Sequence, residues 1–87
     1  MSAAWKLVLD EEALNVLLSA RAPERRKLLH ELEDLKKNPY QSGDFVEHDD
    51  RGQPLQVKVF ANHLVTWWLD SLVTELRVVE IERVRLR

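Results

Sequence analysis

A chain of 87 residues with 45% hydrophobic and 32% charged side chains supports one hydrophobic core and is too apolar to stay disordered. Its 13 Lys and Arg against 15 Asp and Glu, net −2, withhold the basic surplus from which a nucleic-acid binder draws most of its affinity. Cysteine is absent, which excludes disulfides and thiolate metal sites, and no apolar run approaches the roughly 20 residues that span a bilayer.

Met1 to Leu9 has neither the apolar length nor the basic flank of a signal peptide. The expectation is one cytosolic domain over residues 1–87. Trp5 to Leu9 alternates as a short first strand. Asp10 stands where an N-cap would, with its carboxylate free to accept from the first amides of a helix starting at Glu11. Leu14, Leu17 and Leu18 fall at helical spacing and predict that helix's buried stripe.

Pro23 suits the first position of a second helix, where a missing N–H costs nothing. Leu28, Leu32 and Leu35 recur at i, i+4, i+7, and Leu29 widens their face. Lys27–Glu31 and Glu33–Lys37 are spaced to pair on the outer side, and Asn38-Pro39 ends the helix.

From here the apolar period shifts from about 3.6 to 2. Phe45 to His48 predicts a strand, and Asp49-Asp50-Arg51-Gly52 a turn. Leu55 to Ala61 predicts the next strand, with Ala61-Asn62 as its turn. His63 to Asp70 follows, and Glu75 to about Arg83 closes the chain. The order is β-α-α-β-β-β-β.

The helical hairpin can cover one face of this sheet. Leu55/Val57/Val59, Val65/Trp67/Leu69 and Val79/Ile81 are the most apolar sets and are expected beneath it. The other face would then present Phe60, Leu64, Trp68, Leu76 and Val78 beside Gln56, Lys58, Thr66, Glu80 and Glu82. A solvated sheet face is mostly polar. An apolar patch of about 400–600 Å² exceeds what a monomer leaves exposed without a use. Burying it is worth on the order of 10–15 kcal/mol before association costs. A partner or a second copy of the chain is the expected cover, set against a sheet coiled tightly enough to bury both faces itself.

Three stretches carry a family likeness: WKLVLDEEALNVLLSARAPERRKLLHELEDLKKNPY, DFVEHDDRGQPLQVKVF and HLVTWWLDSLVTELRVVEIERV. Their order and pattern, over nearly the whole chain, resemble the RelE/ParE toxin superfamily of type II toxin–antitoxin systems. The resemblance implies an α+β two-layer fold, with the helical hairpin on one face of a mainly antiparallel sheet ordered 1-5-4-3-2. It also implies a cognate antitoxin whose flexible segment wraps the toxin as a helix or an added strand.

Two chemistries divide that family. RelE-like members cut mRNA on the ribosome without metal, using basic residues and a terminal Tyr or His. ParE-like members poison DNA gyrase by protein binding. Metal-free RNA cleavage needs a base for the 2′-OH, cations for the phosphorane and an acid for the leaving oxygen. Lys58 and Arg77 are the candidate catalytic cations, with a solvated lysine and a rim arginine as the plain alternatives. No Tyr or His follows the last strand, and Glu80 and Glu82 would repel RNA. The expected function is therefore a ParE-like toxin acting through protein contacts. The alternatives are a metal-free endoribonuclease and a non-toxic binding module or dimer.

Arg77, Arg83, Arg85 and Arg87 share strand parity and offer an electrostatic contact, or simply a solubilising end. His30, His48 and His63 lack metal-ligand spacing, and no glycine loop for phosphate is present. No metal or cofactor is expected.

Overall fold

The computed structural model describes residues 4–84. They form β1 (Lys6–Leu9), α1 (Glu11–Ser19), α2 (Ala22–Lys37), β2 (Phe45–His48), β3 (Pro54–Phe60), β4 (His63–Asp70) and β5 (Glu75–Arg83). One five-stranded sheet runs β1-β5-β4-β3-β2, antiparallel except where β1 lies parallel to β5. Two helices on one face of this sheet give the α+β architecture that the sequence predicts. Among the described residues no helix is long and apolar enough to cross a membrane.

The helices bury narrower stripes than their leucines predict. In α1 the inward residues are Ala13 and Leu17, with Val16 and Ala20 packed beside them. Leu14 and Leu18 stay 41% and 60% exposed. Small residues on the inner side let this helix lie close against β5. In α2, Leu28, Leu32 and Leu35 are fully buried, while Leu29 is 44% exposed. Asp10 occupies the N-cap position of α1 without a side-chain capping bond. Its carboxylate instead lies 3.7 Å from the Arg77 guanidinium. α2 starts one residue before Pro23. Its surface pairs are His30–Asp34 and Glu33–Lys36 in place of the two expected, each exposed and worth a few tenths of a kcal/mol.

A two-residue turn decides which side chains meet the helices. Ala61 and Asn62 have φ of 49° and 63°, the left-handed pair of a type I′ hairpin. That turn pairs Phe60 with His63, Lys58 with Val65 and Gln56 with Trp67, so these share a face. Val57 pairs with Thr66 and Val59 with Leu64 on the other face. The expected arrangement of β3 is therefore reversed. Phe60 enters the core and stacks on Trp67 at 6.4 Å between ring centroids, while Leu55, Val57 and Val59 turn away from the helices. Ala61 carries the cost of a Cβ in left-handed backbone, about 1 kcal/mol. Ala61→Gly is expected to raise stability by about 0.5–1 kcal/mol in a denaturant titration.

A bulge resets β5. Thr66 pairs with Glu80 and Trp67 with Val78, leaving Val79 as the extra residue. Leu76, Val78 and Ile81 thereby all point at the helices, and Arg77 points away from them. The bulge also breaks the parity expected of the arginines: Arg77 and Arg83 lie on opposite faces. The finished core joins Ala13, Leu17, Leu28, Leu32 and Leu35 from the helices to Phe60, Val65, Trp67, Leu76, Val78 and Ile81 from the sheet.

The segment before β2 is stitched to β3. Gly43 N–H donates to Gln56 Oε1 at 2.8 Å, Asp44 N–H to the Val57 carbonyl at 2.7 Å, and Val59 N–H to Asp44 Oδ2 at 3.0 Å. A Cβ on Gly43 would sit 2.5 Å from the Val57 carbonyl oxygen, against backbone that cannot give way cheaply. Gly43→Ala is expected to cost about 1–3 kcal/mol by thermal melt.

Candidate partner-binding face

The face turned away from the helices is read from strand register. Phe45, Val57, Thr66 and Glu80 form one row across it, and Val59, Leu64 and Glu82 a second. Val8, Arg77 and Trp68 form a third. Leu55 shares this side with its partner Glu47. Val57, Thr66 and Leu55 are buried here yet lie outside the helix-side core cluster. Around them Phe45 and Val59 remain 46% and 50% exposed, and Leu64 and Trp68 are half-buried. Among the described residues no helix lies on this side.

The expected docking residues therefore divide. Leu64 and Trp68 lie on the uncovered face. Phe60, Leu76 and Val78 are 6%, 0% and 0% exposed in the core and offer no surface to a partner. In their place the face has Phe45, Leu55, Val57 and Val59. A short outer strand supplies the first of these: β2 is exposed throughout and, among the described residues, pairs only with β3, so its far edge is open to another strand.

Polar groups frame the apolar centre. Arg77 lies among carboxylates, 3.0 Å from Glu75 and 3.7 Å from Asp10. Glu47, Asp70, Glu80 and Glu82 stand on the same face by register, with Lys6 at its β1 edge. The frame is acidic on balance, which favours a basic or neutral ligand over a phosphate backbone.

The two candidate catalytic cations are not brought together. Arg77 is on the uncovered face, correcting its expected place on the helix side. Lys58 is on the helix side, correcting its expected place on the open face; its Nζ lies 5.4 Å from the Phe60 ring centroid and 3.5 Å from Gln41 Oε1. Sheet backbone separates them, and no single scissile phosphate can touch both. Arg83 lies on the helix side opposite His63, 3.8 Å from Glu24, while Arg85 and Arg87 lie outside the described residues. In the β2–β3 turn, Asp49 Oδ1 accepts from the Arg51 and Gln53 amides at 2.8 and 2.9 Å, so that carboxylate serves the turn.

No protein-family model matches this sequence, and no curated protein matches it. The fold itself has clear counterparts among solved structures. The archaeal RelE–RelB complex from Pyrococcus horikoshii OT3 contains a chain that superposes with a TM-score of 0.73 at 10% identity, over 93% of this chain and 96% of that one. The fold is that of RelE. The intact RelBE toxin–antitoxin complex of E. coli gives a TM-score of 0.63 at 13% identity, over 95% of this chain and all of that one. At such identities the RelE-like likeness concerns the path of the backbone, and the side chains of the site stand on their own geometry.

Face composition was missed by sequence reasoning, although its signal was present. A two-residue turn at Ala61-Asn62 forces Phe60 and His63 onto one side. Counting apolar residues strand by strand hides this, because Leu55/Val57/Val59 looks greasier than Gln56/Lys58/Phe60.

Proposed function

We propose that this chain is the toxin of a two-protein toxin–antitoxin pair, acting by protein binding in the ParE-like manner. The observation that carries the reading is a RelE-like fold whose sheet leaves Phe45, Val59, Leu64 and Trp68 without a covering layer. An antitoxin segment laid over this face, or added to the open edge of β2, buries those side chains. Both matched structures are complexes, one of RelE with RelB and one described as a toxin–antitoxin complex. The preference for protein binding over RNA cleavage rests on the acidic frame and on the separation of Lys58 from Arg77. DNA gyrase is the target class that a ParE-like action implies.

A second reading, ribosome-dependent mRNA cleavage, is favoured by the RelE identity of both matched structures. One experiment separates the two. The chain is expressed alone, and growth and the integrity of ribosome-bound mRNA are followed together. Growth arrest with intact mRNA supports the first reading. Arrest with mRNA cut within codons supports the second, and unimpaired growth with soluble, folded protein refutes both and leaves a non-toxic binding module or dimer. A small protein encoded beside this one, restoring growth when co-expressed, identifies the partner.

A further inference from the structure

The outer surface of the helical layer carries an apolar patch that the core does not use. Leu14 and Leu18 lie one turn apart on α1, each one position on from the inward Ala13 and Leu17 and so about 100° round the helix from them. Both are exposed, and so is Leu29 of α2. Leu29 lies one turn on from Arg25, whose guanidinium donates to the Leu18 and Ala20 carbonyls at the end of α1, both at 3.4 Å. That contact identifies the side of α2 that faces α1, and Leu29 shares it. The second helix runs back alongside the first, so Leu29 stands one turn further from their bend than Arg25, as Leu14 stands one turn further than Leu18. Exposed leucines scattered singly are ordinary, whereas these three are brought together from two helices.

The charges around the patch are segregated by sign. Glu11 opens α1, and Arg21 and Arg25 stand at its far end. Glu11 and Arg21 are both exposed, and neither has an ion pair among the described residues. They cannot pair with each other, because a nine-residue helix about 13 Å long separates them. The partners of Arg25 are neutral carbonyls, which leave its charge uncompensated. Both signs suit the dipole of α1, which accounts for their order but not for the leucines between them.

From these we infer that the outer face of the helices receives a second copy of this chain, the two α1 helices packing antiparallel across a two-fold axis. Leu14 and Leu18 are equidistant from Val16 along the chain, and so are Glu11 and Arg21. An axis at the level of Val16 therefore sets Leu14 of each copy against Leu18 of the other, and Glu11 of each against Arg21 of the other. Every contact is made twice, as a two-fold requires. The partner that matches both the leucines and the charges about one centre is the chain itself; a parallel pairing would set like charges together. The patch is small, so the dimer is weak, forming at concentrations on the order of tens of micromolar. The uncovered sheet face lies on the other side of the molecule, and this pairing leaves it free.

The test is sedimentation equilibrium of the whole chain from about 1 to 500 µM. The mass should rise from monomer to dimer over that range. Leu18→Lys changes a side chain that is 60% exposed, should keep the circular dichroism of the parent, and should weaken the dimer about tenfold or more. Glu11→Arg and Arg21→Glu should each weaken self-association about tenfold, by setting like charges opposite each other. An equimolar mixture of these two variants should dimerise as the parent does, because each presents the charge that the other lacks. A chain monomeric throughout, a dimer indifferent to Leu18→Lys, or a mixture no stronger than its components overturns the inference. So does a monomer in which Leu18→Cys is shielded from a thiol reagent only by the antitoxin of the proposed pair, which would give the patch to that protein. Toxicity enters none of these readouts, so their failure leaves the proposed function standing.

Discussion

Val78→Lys should unfold the domain while the same substitution at Val59 should barely disturb it. Val78 is fully buried, on the sheet face that meets α1 and α2. A lysine there either buries an unpaired ammonium or forces the core apart, a loss of about 4 kcal/mol or more. A chain of this size has only about 5–10 kcal/mol in total, so the variant is expected to be largely unfolded by circular dichroism. Val59 is 50% exposed on the uncovered face. There a lysine lays its stem along the sheet and keeps its charge in water, at a cost within about 1 kcal/mol, mostly from lost β preference. Reading the strands by apolar content alone predicts the opposite, with Val59 under the helices and Val78 in the open. Chemical denaturation of the two variants decides the face assignment without knowledge of function.

The second large effect concerns the partner. Under the proposed function, Val59→Lys combined with Trp68→Lys should leave a folded protein whose affinity for the proposed antitoxin is reduced about 100-fold or more. Two charges would then face a partner surface selected for apolar contact, and both would have to be desolvated. Lys58→Ala and Arg77→Ala should behave differently. Lys58 is held beside Phe60 and Gln41, and Arg77 between Glu75 and Asp10, so removing either disturbs local pairing alone. Under the same proposal each should retain growth arrest on expression, and each should cost no more than about 1 kcal/mol in stability. Loss of toxicity in both alanine variants, with the fold intact, would count for a nuclease and against protein binding. Calorimetry with the antitoxin of the proposed pair and growth curves of the three variants supply the data.

Element order was legible in the sequence because the change from helical to alternating spacing is sharp between Pro39 and Phe45. Strand boundaries came within a residue or two for the same reason. Face assignment failed at two positions with different causes. At Ala61-Asn62 the information was local: a two-residue connection fixes register, and register outranks the greasiness of a strand. At Val79 the information was weaker. Leu76, Val78 and Ile81 are spaced by two and then three residues, a hint of an inserted residue that only pairing with β4 converts into a bulge.

The buried stripe of α1 misled for a third reason. Leu14 and Leu18 have helical spacing, yet Ala13 and Leu17 are the residues that close contact with β5 selects.

Because the chain has no native cysteine, single cysteines report accessibility without background. Val59→Cys and Leu64→Cys should react readily with a thiol reagent in the isolated protein and at least tenfold slower in complex with the antitoxin of the proposed pair. Val65→Cys, in the helix-side core, should stay unreactive in both. Slow labelling of positions 59 and 64 in the isolated protein, or equal rates in the two states, would contradict a docking surface on the uncovered sheet.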